Sequence, residues 1–183
     1  MASKKEGYST PQENSEDCAN VEISKEDQQY IEDNLDSSNS SAAEYTTRGV
    51  SLRCKFGTHT RRVNLKKDYG VALVHNDDNY YHPLLLEDDC VLNDNINVFG
   101  ICNSPSVPKG QKITLLDEET NEPIVGYPCV CQILGKWADA KDNLTINDKK
   151  VLTTKSFLVC AYLGVIEVKD GCNGLEYGGE LDE

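Results

Sequence analysis

Four cysteines each close an apolar stretch of the chain: Cys54 in SLRC, Cys102 in VFGIC, Cys129 in VGYPC and Cys160 in SFLVC. As thiolates they are soft ligands that suit zinc, and four of them make a closed structural site. Cys54 lies just before Gly57 and Cys102 just after Gly100. Strand ends that deliver thiolates to one point would let a small irregular β domain hold a metal in place of a large core. Other states of the same residues stay open at this level. Free cysteine is among the most buried residue types, so any of the eight can be plain core, and disulfides are a third arrangement. The close pair Cys129-x-Cys131 would share one face of a regular strand, unlike the CxxC turn of common zinc sites. Cys90 and Cys131 can each complete the site or simply be buried, and His59 in GTHTRR can stand in for one thiolate. Cys18 and Cys172 are expected to be exposed free thiols and not ligands.

Other chemistry is poorly supplied. There is no HExxH, no HxE with PCxxC, no glycine-rich phosphate loop and no GxSxG. Cysteine and histidine both occur, but nothing places such a pair at a reactive turn. His75 and His82 flank HNDDNYY and read as a polar surface. Asp77, Asp78 and the run LLLEDD lack calcium-loop spacing and read as solvated turns. No catalytic residue is assigned, and a non-enzymatic protein is expected; a metallo-enzyme would need an open coordination position and a cleft.

The elements that must position the thiols follow from composition and pattern. A chain of 183 residues allows one domain and a tail, and 38% hydrophobic with 7% aromatic content means a modest core. No apolar run reaches the roughly 18 residues of a membrane span, and MASKKEGYSTPQENSEDC lacks the apolar stretch of a signal peptide. A cytoplasmic protein with reduced thiols is expected, unless a dedicated machine exports it. The net charge of −13 is uneven: residues 1–45 hold eleven acidic and three basic side chains. That acidic extension, rich in Ser, Asn, Gln and Glu, is expected to be largely disordered in isolation. Within it, residues 24–36 form a short predicted helix. Ser24 is placed as N-cap, Asp27 lies three residues on, and Tyr30, Ile31 and Leu35 line one side. So short a helix needs something to dock on, which makes those three residues the candidate partner-binding set. Downstream, Arg48, Arg53, Lys55, Arg61, Arg62, Lys66 and Lys67 fall in a stretch without acidic residues. It lacks interleaved aromatics in a chain that repels phosphate, so the expected counterpart is a protein or the chain's own acidic segment, not nucleic acid.

From Gly49 onward the pattern is all-β. GVSLRC, RRVNLK, GVALVH, YYHPLLL, KITLLD, EPIVGYPCV, NLTIND, KKVLTTK, SFLVCAYL and GVIEVK are short β-type runs separated by turn residues. HNDDN and INDKK offer Asn-Asp where a hairpin wants residues tolerant of positive φ. LVHNDDNYYHPLL and LTINDKKVLTTK therefore look like copies of one hairpin. PSVPKGQ and DEETNEP read as loops, and Trp137 as an apolar anchor.

The order GVSLRCKFGTHTRRVNL, EDDCVLNDNINVFGICNSP, GYPCVCQILGKW, then VLTTKSFLVC and a glycine-containing turn resembles the PAAR-like proteins. It is most similar to the branch with cysteines after the first strand, in F-G-x-C-x-S-P/L, in P-C, and in S-x-L-x-C-x-x-G-G. FGICNSP, YPC and SFLVCAYLG together carry the resemblance, which covers roughly Tyr45 to Gly174. CAYLG departs from the pattern by one glycine, and the literal Pro-Ala-Ala-Arg sequence is absent. The resemblance implies a small metal-stabilised β cone, residues 46–174, that caps the trimeric spike of a contractile injection or type VI-like secretion system, one copy per spike. It implies one structural zinc per chain on Cys54, Cys102, Cys129 and Cys160, and attachment of effectors. A flexible tail, residues 175–183, follows the cone. The alternative is an adaptor for toxin export, type VII-like systems included, in which the acidic segment recruits a toxin or chaperone. Either way the protein is expected in the cytoplasm before it is delivered with the apparatus.

Overall fold

A computed structural model describes residues 24–34, 43–74 and 81–169. Each of the ten expected β runs contributes one strand. They are β1 (Ser51–Cys54), β2 (Arg61–Arg62), β3 (Ala72–Val74), β4 (Tyr81–Pro83), β5 (Ile113–Leu116), β6 (Pro123–Gly126), β7 (Lys141–Ile146), β8 (Lys149–Val151), β9 (Phe157–Val159) and β10 (Val165–Val168). The helix in the N-terminal segment is α1, Lys25–Asn34. The all-β expectation is borne out.

One four-stranded sheet, in the order β2-β1-β10-β9, organises the core, and the remaining strands form three two-stranded hairpins. β1 and β10 run antiparallel with Leu52 opposite Val168 and Cys54 opposite Ile166. Because a strand alternates its faces, Leu52, Cys54, Ile166 and Val168 are buried together, with Phe99, Leu85, Leu158 and Trp137 in the same cluster. Arg53 and Glu167, the intervening pair, form an ion pair at 3.5 Å. A second cluster of Leu84, Leu86 and Val151 joins the hairpins β3–β4 and β7–β8 through Leu73, Leu144 and Ile146.

The hairpins follow their turn chemistry. Ile146 pairs with Lys149 across Asn147 and Asp148, both at positive φ (51° and 62°), the two-residue turn that the INDKK sequence predicts. In β5–β6 the Asp117 carboxylate accepts from the Glu119 and Thr120 amides, and Asn121 takes φ 56°. The HNDDN turn, with His75, Asp77 and Asp78, lies outside the described residues, as do Cys18, Leu35, Cys172 and the tail. None of the described helices is long and apolar enough to cross a membrane.

One surface expectation is corrected. LLLEDD is not a solvated turn: Leu84, Leu85 and Leu86 are core, and Asp89 is only 4% exposed. Burial is tolerated because the carboxylate accepts hydrogen bonds from the Leu86 amide (2.7 Å) and the Tyr69 hydroxyl (2.9 Å). Trp137 Nε1 donates to the Asp89 carbonyl at 2.9 Å, which makes this tryptophan the anchor its position suggests. Neighbouring Asp88 meets Lys136 and Lys149, each at 2.6 Å. Three residues of the basic stretch form ion pairs within the β domain: Arg53 with Glu167, Arg61 with Glu118 (3.5 Å) and Lys66 with Asp94 (2.9 Å).

Burial pushes the Asp89 carboxyl up to about 6; the Leu86 amide and Tyr69 hydroxyl work against this, and the Asp88 charge adds to it. The folded chain therefore binds this proton more tightly than an unfolded chain with an ordinary aspartate near 3.9. Stability from this group is present in full below that value and is lost as pH rises through about 6. Lowering the pH from 7 to 5 is expected to stabilise the wild type by about 1 kcal/mol more than Asp89→Asn, read from urea unfolding of both proteins. Parallel pH dependences would show that Asp89 does not titrate there.

Candidate functional site

The backbone hydrogen bonds at one end of the molecule close into a ring. Residues 54–58 lie beside residues 99–103: Gly57 bridges Cys102, and the Asn103 amide donates to the Phe56 carbonyl at 2.8 Å. That second segment lies beside residues 127–129, where Cys102 N donates to Tyr127 O (2.9 Å) and Cys129 N to Gly100 O (2.8 Å). The chain runs on to residues 131–134, which pair with the end of β9: Ile133 bridges Cys160, and Leu134 N reaches Val159 O at 2.8 Å. β9 pairs with β10 and β10 with β1, which returns the circuit to Cys54.

Every segment of this ring except β10 delivers a thiol. Cys54, Cys102, Cys131 and Cys160 are buried, Cys129 is half-buried, and all five are free. Cys54 and Cys160 project from the same face of the sheet, since Cys54, Ile166 and Leu158 stand in one row and Cys160 is two residues beyond Leu158. Cys131 is the hub, with its thiol in hydrogen-bond contact with both Cys129 and Cys160. These two contacts, and then burial, hold the Cys131 proton on. The same contacts pull Cys129 and Cys160 below the ordinary thiol range, against their burial. Cys131 has a single S–H, so it serves one partner at a time. The Gln132 amide also donates to Cys160 Sγ at 3.5 Å. Cys54 is pushed up to about 12, first by burial and then by the nearby Cys160 and Cys129 charges, with the Phe56 amide opposing. Burial likewise raises Cys102, against a hydrogen bond from the Ser104 amide.

Two residues of the turn after Cys160 shape the floor of this cluster. Leu163 N donates to Cys160 O (2.9 Å) and Cys160 N to Gly164 O (2.8 Å), a three-residue hairpin loop whose last member takes the left-handed conformation. That member is Leu163, at φ 62°, where glycine is the usual choice. Gly164 then passes so close to the sulfurs that an added Cβ would stand 2.9 Å from Cys54 Sγ and 3.5 Å from Cys160 Cβ. Ser104 ties the FGICNSP element to the same turn, donating to the Tyr162 carbonyl at 2.5 Å.

The thiol set is chemically suited to zinc. Among the described residues no group of three or more cysteine, histidine or acidic side chains is placed so that it could hold a metal ion. The four proposed ligands, Cys54, Cys102, Cys129 and Cys160, are brought to one end of the fold, and Cys131 joins them. His59 is occupied otherwise: its Nδ1 lies 2.8 Å from Thr58 Oγ1 and its ring covers Gly100, which has φ 74° and no room for a side chain. Cys90 is disulfide-bonded and so cannot complete the site. Of the partner-binding set, Tyr30 lies with its ring centroid 5.6 Å from Lys55 Nζ, next to Cys54, while the side chain of Ile31 and all of Leu35 are outside the described residues.

The fold and site define a small all-β protein with a ring of strand ends around buried thiols. Residues 46–172 match the family model of a domain of unknown function, DUF4280, and the chain belongs to that family. No curated protein and no solved structure matches it.

Sequence reasoning did not single out Leu163, Gly164 or Ser104. The departure of CAYLG from a glycine pair was the available signal, because the absent glycine falls on the residue with positive φ. Leu163→Gly is expected to stabilise the fold by about 1 kcal/mol, since a left-handed leucine costs roughly that much. Gly164→Ala is expected to destabilise it by about 1–3 kcal/mol and to speed alkylation of Cys54. Urea unfolding with thiol labelling checks both, and equal stability of all three proteins would contradict the close approach at this turn.

Proposed function

We propose that this protein is a non-enzymatic, PAAR-like tip that caps a trimeric spike of a contractile injection or type VI-like secretion apparatus. The observation that carries this reading is the ring of four chain segments closed around buried thiols. Resemblance of FGICNSP, YPC and SFLVCAYLG to the PAAR-like branch supports it over nearly the same span as the DUF4280 match. Zinc held by Cys54, Cys102, Cys129 and Cys160 would cross-link segments that are far apart in sequence, and so supply rigidity under axial load. Structural zinc in small peptides is worth roughly 10–16 kcal/mol at neutral pH. The broad base of the cone then meets the spike, with one cone per trimer, and the protein is made in the cytoplasm and leaves with the apparatus.

The acidic segment favours an added adaptor role. Its helix touches the β domain beside Cys54 through Tyr30 and Lys55. In this second reading, an export adaptor, the segment recruits an effector toxin or chaperone and the β domain is a passive scaffold.

Cys160→Ser is expected to lower metal content and melting temperature together, measured on protein purified under reducing conditions. Unchanged metal content would remove Cys160 from the site. Deleting residues 1–45 is expected to leave co-purification with a trimeric spike protein intact and to abolish cargo binding; loss of spike binding would place α1 in the docking surface instead, and no spike binding by the full chain would end the tip reading.

A further inference from the structure

The β5–β6 hairpin leaves one strand edge open. Asp117 N donates to Glu122 O at 2.9 Å, which makes these two a hydrogen-bonded pair. Such pairs recur at every second residue of an antiparallel ladder, so Leu115 with Ile124 and Ile113 with Gly126 belong to the same class. The N–H and C=O groups of Thr114 and Leu116 therefore point away from β6, and among the described residues no strand or bridge meets β5 on that side. The hairpin also has an exposed face of Thr114, Leu116, Pro123 and Val125, with Leu116 60% and Val125 64% exposed. We propose that the β5 edge pairs with the same edge of a second copy of this chain, antiparallel, with Leu115 on the twofold axis.

Three observations support this occupant. The first is the contrast between the two edges of the hairpin. On the β6 edge Pro123 has no N–H to offer, whereas β5 reads Ile-Thr-Leu-Leu with no proline, glycine or charge to repel a strand. The second is charge. In this register Thr114 of one copy faces Leu116 of the other, and Lys112 of one faces Glu118 of the other, so opposite charges meet at both ends of the interface. A parallel pairing would set Lys112 beside Lys112. The third is that the edge is held in place beforehand. The Glu118 carboxylate accepts from Thr60 N at 2.8 Å and Thr60 Oγ1 at 2.9 Å, and it meets Arg61 at 3.5 Å, which fastens the hairpin turn to the loop before β2. Little ordering is left to be done on association. One short edge is a smaller interface than the roughly 1,200 Å² of stable complexes, so the pair is weak and depends on concentration. It can separate before the chain meets a spike, and the inference does not rest on the tip reading.

Sedimentation of the full-length protein under reducing conditions tests this, run over a dilution series that reaches about 1 mM so that weak association registers. Amide hydrogen exchange at both ends of the series accompanies it. Expected is a shift from one chain toward two as concentration rises, with the Thr114 and Leu116 amides slowed several-fold in the concentrated sample. Thr114→Pro keeps the β5–β6 hydrogen bonds, because the Thr114 N–H takes no part in them, and is expected to stay a single chain throughout. Leu116→Lys is expected to do the same by charging the edge. A wild type that remains a single chain at the highest concentration overturns the inference. So does a dimer in which the Thr114 and Leu116 amides exchange as fast as in dilute protein, which would place the contact on another surface and needs no variant to fold. Variants that associate as the wild type does would overturn it equally.

Discussion

The thiol end closes through the weakest kind of strand pairing. Between residues 54–58, 99–103, 127–134 and the end of β9 the contacts are isolated bridges, Gly57 to Cys102, Ile101 to Pro128 and Ile133 to Cys160, each backed by only a few hydrogen bonds. A typical intramolecular hydrogen bond nets about 1 kcal/mol, and ordering one residue costs about as much. Such bridges therefore do not hold four segments together on their own. What they share is the interior between them, where Cys54, Cys131 and Cys160 lie in one buried cluster with Phe99, Leu158 and Ile166. The rest of the end follows from keeping those sulfurs within reach of one another, and a metal there would couple all four segments through a single point.

The backbone is shaped to the same requirement. Gly164 approaches Cys54 Sγ more closely than any side chain allows, and Gly100 turns at positive φ beneath the His59 ring. Leu163 sits in a conformation that costs a leucine about 1–2 kcal/mol, a strain tolerated where the turn must place Cys160 and Gly164 correctly. A separate apolar cluster of Leu84, Leu86 and Val151 joins the β3–β4 and β7–β8 hairpins.

Much of this was legible in the sequence because the signals were local. Alternation marked all ten strands, Asn147-Asp148 supplied the positive φ its hairpin needed, and Trp137 declared itself as an anchor. The four thiols could be read as a group because each ends an apolar run. What failed was non-local. LLLEDD looks solvated until Tyr69, twenty residues earlier, is seen to bond Asp89. The basic stretch looked unmatched because Glu118, Asp94 and Glu167 lie far along the chain. The central place of Cys131 was hidden for a different reason: a family pattern with one cysteine in its P-C element draws attention to Cys129, and only the pairing with Cys160 shows that the second thiol is nearer the centre.

The most direct measurement is amide hydrogen exchange of the reduced, zinc-loaded protein with and without a strong chelator. Metal-dependent closure predicts that chelation strips protection from the amides of Cys102, Cys129, Leu134 and Cys160, which bridge the ring, and leaves the β7–β8 hairpin unchanged. Equal protection at those four amides in both conditions would contradict it, and would mean that packing and backbone bonds alone hold the thiol end.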